Sequence, residues 1–356
     1  YYGSAMVKSP LYTSHSRTLT VLYADLESYA LNQREVFVGT AGSVIQRANA
    51  AGFRFYARQS YDGEGKKREQ YLAGPVGNPK ADTTAETTRA RIKELKEVVS
   101  SLRLLGREGF NVVDPKTYAT LASLHNNGVF AAGGMLIGSH AYGVLLNRLG
   151  IRATPYATED IDIARREALA FETLPERGFL EMLNDSGIEF VEVPELTRKK
   201  PATSFKQRGR SRFHVDLLAP SANEDFPVLP VPELKAHATG LPYLDYLLVE
   251  SQTAMLMARE GCCSVRVPLP ERFAIHKLVV SRLRTGRDAK SDKDVFQACV
   301  LCAALAESHP GAIESAVAQV PRRAKKYLKP ATESARRYLE QTHLRAWEEL
   351  STVVKP

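Results

Sequence analysis

Four consecutive residues, Asp160-Ile161-Asp162-Ile163, constrain the fold of this chain more than any other feature. Side chains of a β-strand point alternately to opposite faces, so the two aspartates share one face while the two isoleucines enter a core. Their Cα atoms lie ~7 Å apart at a rise of about 3.3 Å per residue, and the carboxylates repel each other unless a cation lies between them. The run therefore predicts a short strand, 160–164, that presents two acidic side chains to a cation.

A third carboxylate, Asp216, lies in the apolar segment FHVDLL. Strand alternation separates Asp216 from its apolar neighbours Val215 and Leu217. If its strand is next to the one that carries Asp160 and Asp162, the three carboxylates complete a site for two Mg²⁺ or Mn²⁺ ions. Such ions take oxygen ligands from carboxylates and from substrate phosphates.

Gly138 and Ser139 follow an apolar segment and precede a helical one. A glycine lets the backbone approach a phosphate closely, and the helix N-terminus after it offers free N–H groups. The Ser139 hydroxyl can donate a hydrogen bond to a phosphate oxygen. These two residues are therefore candidates for binding the phosphates of a nucleotide.

The segments GSHAY, TEDIDIA and HVDLL, in this order, resemble the nucleotidyltransferase superfamily that includes DNA polymerase β, kanamycin nucleotidyltransferase and nucleotidyltransferase toxins. The chain is most similar to a poorly characterised bacterial group of predicted nucleotidyltransferases. That group shares a later pattern, which reads here His276-Lys277, Lys293-Asp294 and Gln297-Ala298. The resemblance covers residues 129–305, and the region before it only loosely.

The resemblance implies an α+β fold with a polymerase-β-like core, a small mixed sheet flanked by helices. It implies that Asp160 and Asp162 bind both metal ions, that Asp216 binds one, and that Gly138 and Ser139 contact the triphosphate of an NTP. It also implies that Lys277, on the helix after the sheet, contacts the triphosphate, and the alternative is a solvated lysine beside a packed face.

Several candidate side chains have two interpretations. Lys293 is a second candidate for positioning the nucleotide, and the alternative is an ion pair with Asp294. His214 and His276 are candidate bases, although structural roles are expected for both, and Asp216 is the better base. One feature departs from the family pattern: twenty residues separate Ser139 from Asp160, which we attribute to the loop 150–158, and the alternative Gly133-Gly134 lies farther still.

Two basic stretches accompany the net charge of +8, and such a charge favours polyanionic partners. The stretch 54–68 carries interleaved aromatic residues that could stack on bases. The stretch 198–212 precedes Asp216 and could follow a phosphate backbone, with Lys or Arg at 198, 199, 200, 206, 208, 210 and 212. Solvated faces are the alternative for both stretches.

The pattern of the chain divides it into a mostly helical N-terminal region with a basic hairpin (1–128), a catalytic core (129–269) and a helical C-terminal region (270–356). Helical periodicity predicts helices over 14–34, 83–109 (with a capping box at Thr83 to Glu86), 115–125, 173–186, 270–284, 291–307, 310–319 and 322–347. Alternation and short apolar runs predict strands over 53–61, 66–72, 160–164, 188–193, 203–206, 212–218, 246–250, 253–258 and 263–267, and a further strand is expected after Val129.

The leading hypothesis is an enzyme that transfers a nucleoside monophosphate from an NTP to an acceptor hydroxyl. The first candidate acceptor is RNA, such as a tRNA 3′ end. A protein is the second candidate, and a small molecule such as an aminoglycoside is the third. The alternative is a non-catalytic nucleotide- or RNA-binding protein of the same fold. We expect a cytoplasmic protein with no secretory signal and no membrane span. The four cysteines are expected to be buried, reduced thiols because they lack the spacing of a zinc site.

Overall fold

The computed structural model describes residues 9–154, 158–194, 200–222, 225–283 and 288–352. Within these ranges the chain forms eleven α-helices and fourteen strands. The helices are α1 (Arg17–Leu31), α2 (Pro79–Arg107), α3 (Pro115–Asn126), α4 (Gly138–Arg148), α5 (Phe179–Asn184), α6 (Leu244–Leu248), α7 (Pro270–Ser281), α8 (Asp288–Ser308), α9 (Ala312–Ala318), α10 (Arg322–Leu339) and α11 (Leu344–Thr352). The strands are β1 (Thr13–Ser14), β2 (Ser43–Ala48), β3 (Arg54–Tyr61), β4 (Lys67–Ala73), β5 (Met135–Ile137), β6 (Ile151–Arg152), β7 (Asp160–Ala164), β8 (Phe190–Glu192), β9 (Ser204–Gln207), β10 (His214–Ser221), β11 (Val228–Val231), β12 (Ala236–Pro242), β13 (Ser251–Met257) and β14 (Cys262–Pro268).

A seven-stranded mixed sheet forms the centre of the molecule, in the order β11-β12-β10-β7-β5. Strand β10 runs parallel to β7 on one side. On its other side β10 pairs with β9 along its first residues and with β12 along its last ones. Strand β8 extends the sheet beyond β9. The α+β class, with a mixed sheet flanked by helices, is therefore confirmed.

Strand alternation fixes which face of this sheet is buried. Ile161, Ile163, Val215 and Leu217 are at most 1% exposed, whereas Asp160, Asp162 and Asp216 are partly exposed on the other face. The residues of the buried face belong to one large apolar core. Burial of this apolar face therefore sets the orientation of the acidic face.

The N-terminal region adds a three-stranded antiparallel sheet in the order β2-β3-β4. The predicted hairpin over 53–61 and 66–72 is confirmed, and β2 is an additional strand on its edge. The expected capping box at Thr83 is wrong, because α2 begins at Pro79 and is capped by the side chain of Asn78. The sequence contains this favourable helix start, which is an asparagine cap followed by a proline at the first helical position.

The structure corrects several predicted elements. The expected strand at 246–250 falls mostly on α6, a short helix after Tyr243, because a short apolar run does not by itself distinguish a strand from a helix. The single helix predicted over 322–347 is two helices, α10 and α11, separated by a turn after Leu339. The helix predicted over 173–186 is only the six-residue α5. Strands β11 and β12 had not been predicted.

All four cysteines are free and buried, as expected. Among the described residues, no helix combines the length and the apolar character needed to cross a membrane.

Candidate active site

The register of three strands brings the predicted carboxylates together. In the parallel pair β10 and β7, Asp216 lies directly opposite Asp162, and His214 lies opposite Asp160. Directly opposed residues in a sheet project from the same face, about 4.8 Å apart across the strands. The structure therefore places the three aspartates on one face of two adjacent strands, as the sequence predicted.

The surroundings of Asp162 disfavour the ionised form of its carboxyl group. Burial, together with the neighbouring Asp216 carboxylate, raises the pKa of Asp162 to about 6. Lys277 opposes this rise, because its positive charge favours the ionised carboxylate. The face thus holds an excess of negative charge near Asp162 that a cation would relieve.

His214 bridges the outer two aspartates. Its Nδ1 lies 3.3 Å from Oδ1 of Asp160, and its Nε2 lies 3.4 Å from Oδ2 of Asp216. The hydrogen bond to Asp216 is the main reason that the pKa of His214 rises to about 9. The two carboxylates therefore favour the protonated form of His214, a feature that the expected structural role did not include.

Ser204 holds the remaining oxygen of Asp216. Strand β9 places Ser204 opposite Asp216, and the Ser204 hydroxyl donates a hydrogen bond to Oδ1 of Asp216. The sequence contained a signal for this contact, because the hairpin predicted over 203–206 and 212–218 brings these two segments opposite each other. Ser204 is not among the site residues predicted from the sequence.

Gly138 lies against Asp162 at the junction between β5 and α4. Its φ angle is +69°, and a Cβ atom built on it would lie 2.0 Å from Oδ2 of Asp162. Only glycine accommodates both the left-handed backbone and this close approach. The alternative Gly133 and Gly134 precede β5 at its opposite end, beside Ala164 rather than beside Asp162.

Two lysines from the C-terminal helices reach this junction. Nζ of Lys293 on α8 donates a hydrogen bond of 2.9 Å to Oγ of Ser139 in the first turn of α4. Burial lowers the pKa of Lys293. Nζ of Lys277 on α7 lies 2.7 Å from Oδ1 of Asp294 and is largely buried.

These contacts correct the expected ion pair between Lys293 and Asp294. Consecutive residues of a helix point in different directions, so Asp294 faces Lys277 while Lys293 faces Ser139. Both lysines that were candidates for the triphosphate thus lie near Gly138 or Ser139.

A cavity of about 630 Å³ opens beside Asp162. Gly138, His276 and Lys277 contribute polar groups to its wall. Most of the remaining lining is apolar, from Ile137, Leu218, Phe226, Leu241, Pro242, Leu244, Leu247, Phe273, Val280 and Leu283. A cavity with a polar end next to carboxylates and an apolar remainder suits a nucleotide, whose phosphates are charged and whose base has apolar faces.

The donor set fits a hard divalent cation, although the ligands do not converge in advance. Three carboxylates on one face offer the oxygen ligands that Mg²⁺ and Mn²⁺ prefer. Within the described ranges, no three His, Cys, Asp or Glu side chains lie close enough to form a ready metal site. His214 lies between the outer two carboxylates, 3.3 Å from Oδ1 of Asp160 and 3.4 Å from Oδ2 of Asp216.

The long link between Ser139 and Asp160 is only partly a loop. Helix α4 continues to Arg148, and Ile151–Arg152 forms β6, which pairs with β1. Residues 155–157 of the expected 150–158 loop lie outside the described residues.

The basic stretch 54–68 does not form an open cationic surface. Arg58 is 6% exposed and donates to the backbone oxygens of Thr40 and Ala41. The remaining hairpin cations have polar or acidic partners, which are Gln46 for Arg54, Glu64 for Lys66, Glu69 for Lys67 and Asp62 for Arg68. The alternative of a solvated, internally neutralised face therefore fits this stretch better.

The stretch 198–212 is different, because it lies at the edge of the face that carries the three aspartates. Positions 198 and 199 lie outside the described residues. Of the others, Arg208 pairs with Glu189, and Lys206 lies opposite His214.

The fold and this face define a class of protein, a nucleotidyltransferase. A family described as Nucleotidyltransferase matches residues 115–321, which is more than half of the chain. The match runs from the start of α3 to the residue before α10. Comparisons with curated proteins and with solved structures found no match. The chain therefore belongs to this nucleotidyltransferase family, as the sequence motifs had indicated.

Proposed function

We propose that this protein transfers a nucleoside monophosphate from an NTP to an acceptor hydroxyl. In this proposal Asp160, Asp162 and Asp216 hold Mg²⁺ or Mn²⁺. The observation that carries it is the strand register, which sets Asp216 opposite Asp162, while Asp162 lies against Gly138.

The triphosphate is assigned to the side of the site where β5 enters α4. Gly138 leaves space for an approaching phosphate, and the N-terminus of α4 offers backbone N–H groups. The ammonium groups of Lys293 and Lys277 provide positive charge there. The base and ribose of the NTP occupy the apolar part of the neighbouring cavity.

The transfer forms one bond and breaks one bond. The acceptor oxygen attacks the α-phosphorus, and the bond between that phosphorus and the bridging oxygen breaks, so pyrophosphate leaves. Asp216 is the residue proposed to accept the proton of the acceptor hydroxyl, at Oδ2, the oxygen that faces His214 rather than the one that accepts from Ser204. Divalent cations, when bound, supply neutralisation of phosphate charge and increase the acidity of the hydroxyl. Positioning and electrostatics account for most of the rate increase in such transfers.

The first experiment incubates the full chain with each of the four NTPs, radiolabelled at the α-phosphate, in the presence of Mg²⁺. Separate arms contain RNA, cell protein and an aminoglycoside as acceptors. The variants Asp160→Asn and Asp162→Asn should lose on the order of 10²–10³-fold of the transfer rate, because loss of metal ligands removes several kcal/mol of transition-state stabilisation. Asp25→Asn is the matched control, because Asp25 is an exposed acid on α1.

The outcomes separate the hypotheses. Loss of transfer in the two active-site variants, with normal transfer in Asp25→Asn, supports the proposal and identifies the acceptor arm. Normal transfer by both Asp160→Asn and Asp162→Asn would show that the chemistry lies elsewhere. Nucleotide binding without transfer in any arm favours the alternative, a non-catalytic binding protein of the same fold.

A further inference from the structure

The proposed catalytic face extends across the sheet in both directions from β10, and only one direction is assigned to the NTP. Strand β7 and then β5 lie on one side of β10, and they lead to Gly138 and Ser139. Strand β9 and then β8 lie on the other side. The acceptor must reach Asp216 from a direction that the triphosphate leaves open, and the β9 side is that direction.

Lys206 continues the row of side chains that contains Asp160 and His214. It lies directly opposite His214 in the β9–β10 register, so it projects from the same face. Two strand spacings of about 4.8 Å separate the Cα atoms of Lys206 and Asp160, on the side away from β5. Lys206 forms no side-chain hydrogen bond or ion pair with any residue that the structure describes.

Arg212 extends this positive surface by one more row. It precedes His214, the first residue of β10, by two residues, and the buried Phe213 lies between them. The N–H of Gln207 donates to the backbone oxygen of Phe213, so the pairing with β9 continues at this end of β10. Arg212 is exposed, and its guanidinium has no partner within the described residues. Arg208, the residue after β9, is paired with Glu189 at 2.8 Å.

The acidic residues nearby do not cancel the charges of Lys206 and Arg212. Glu192 opposes Phe205 in the β8–β9 register, so strand alternation places it on the other face. Glu159, the residue before β7, forms no ion pair with Lys206 or Arg212 in the described part of the chain. Lys206 and Arg212 therefore form a cationic pair next to the proposed position of the acceptor hydroxyl, here called the acceptor-side cations.

We propose that the acceptor is the 3′ end of a single-stranded polynucleotide, whose last phosphates contact the acceptor-side cations while its terminal hydroxyl lies at Asp216. This inference rests on the proposed function. Neighbouring phosphates of a strand offer repeated negative charges, and separated ammonium and guanidinium groups complement them. A polycationic acceptor such as an aminoglycoside is repelled by the same surface.

The test uses a fluorescently labelled single-stranded RNA and a DNA of the same sequence, each with a free 3′ hydroxyl. Binding to the full chain is measured by fluorescence anisotropy over a range of salt concentrations, and extension is measured on denaturing gels with the four NTPs and Mg²⁺. The variant carries Lys206→Gln with Arg212→Gln. The matched control carries Lys66→Gln with Lys67→Gln, which removes the same charge from exposed lysines paired with Glu64 and Glu69.

The acceptor-side variant should bind the oligonucleotide on the order of tenfold more weakly. The slope of log affinity against log salt should decrease by about 1.4, because single strands release roughly 0.7 counterion per neutralised phosphate. Extension should decrease in parallel, and the control variant should behave as the wild type. Extension of both oligonucleotides, or of RNA alone, decides whether the sugar is also recognised.

A separate measurement of NTP binding in the presence of Mg²⁺ distinguishes the possible failures. Unchanged oligonucleotide binding in the acceptor-side variant, or loss in the control variant instead, would overturn the assigned surface. Normal NTP binding with label transferred only to protein would overturn the polynucleotide acceptor and leave the proposed function intact. Absence of NTP binding would overturn the proposed function and this inference together.

Discussion

His140 illustrates, at the scale of one residue, how burial next to the site sets a charge. It lies in the first turn of α4, and its Nε2 is buried without a hydrogen-bond partner among the described residues. Burial lowers the pKa of His140 to about 4, so the imidazole is neutral near the proposed triphosphate. His214 shows the opposite shift, because two carboxylates face it.

The lowered pKa of His140 predicts a pH-dependent stability. The unfolded chain binds a proton at His140 near pH 6.5, whereas the folded chain does so only near pH 4. This contribution to the free energy of unfolding is therefore complete above pH 6.5 and is lost as the pH falls towards 4. Between pH 7 and pH 5 the loss is about 2 kcal/mol, at 1.36 kcal/mol per pH unit below 6.5.

Urea unfolding at pH 7 and pH 5 measures this effect. Between these two pH values, the free energy of unfolding of His140→Gln should fall by about 2 kcal/mol less than that of the wild type. His309→Gln is the control, because His309 is exposed. Identical pH dependence in the wild type and His140→Gln would contradict the assignment of a neutral, buried imidazole.

The junction of β5 and α4 is the element that depends most on one small residue. Gly138→Ala places a methyl group where Oδ2 of Asp162 lies, in a backbone conformation that alanine adopts reluctantly. We expect the variant to fold and to lose at least about tenfold of its transfer rate, because small displacements of reacting groups are costly.

A matched substitution separates the strain of the backbone from the contact with Asp162. Gly52 has a φ angle of +78°, and nothing lies within 4 Å of a Cβ atom built on it. Gly52→Ala should therefore retain activity while carrying similar strain. Equal transfer by both variants, compared at equal folded fractions from circular dichroism, would mean that the close approach at Gly138 is irrelevant to activity.

Elements that depend on local signals could be predicted from the sequence. The alternation in β7 and the paired strands β9 and β10 were predicted closely, because a buried face imposes period two. Helix α6 was mistaken for a strand, because all of Leu244, Tyr246, Leu247 and Leu248 are buried and periodicity then carries no signal.

At the scale of the whole molecule, the N-terminal helices share a core with the β13–β14 ribbon. Leu102 and Leu105 of α2 are fully buried in a cluster that also contains Met255, Met257 and Cys262. Such shared burial links the stability of the N-terminal region to that of the rest of the chain.

Leu102→Ala tests this link. Removal of a fully buried leucine should cost about 2–5 kcal/mol, whereas Leu104→Ala, at a position 44% exposed on the same helix, should cost far less. Trp347 is the only tryptophan and lies on α11, so its fluorescence reports on the C-terminal region. A shift of the denaturant midpoint at Trp347 in Leu102→Ala is expected. A Trp347 transition that stays in place, while circular dichroism shifts, would indicate independently unfolding regions.

The sequence by itself determined the class of the protein and the acidic face, because both follow from local patterns. Strand alternation placed Asp160 and Asp162 together, and the order of the motifs indicated the family. Only the tertiary structure decided which side chains meet across long separations. Lys293 reaches Ser139 across 154 positions, and Lys277 rather than Lys293 faces Asp294. Such pairings depend on how helices pack against the sheet, and that packing is set by the complementary shapes of the whole core rather than by any local run of residues.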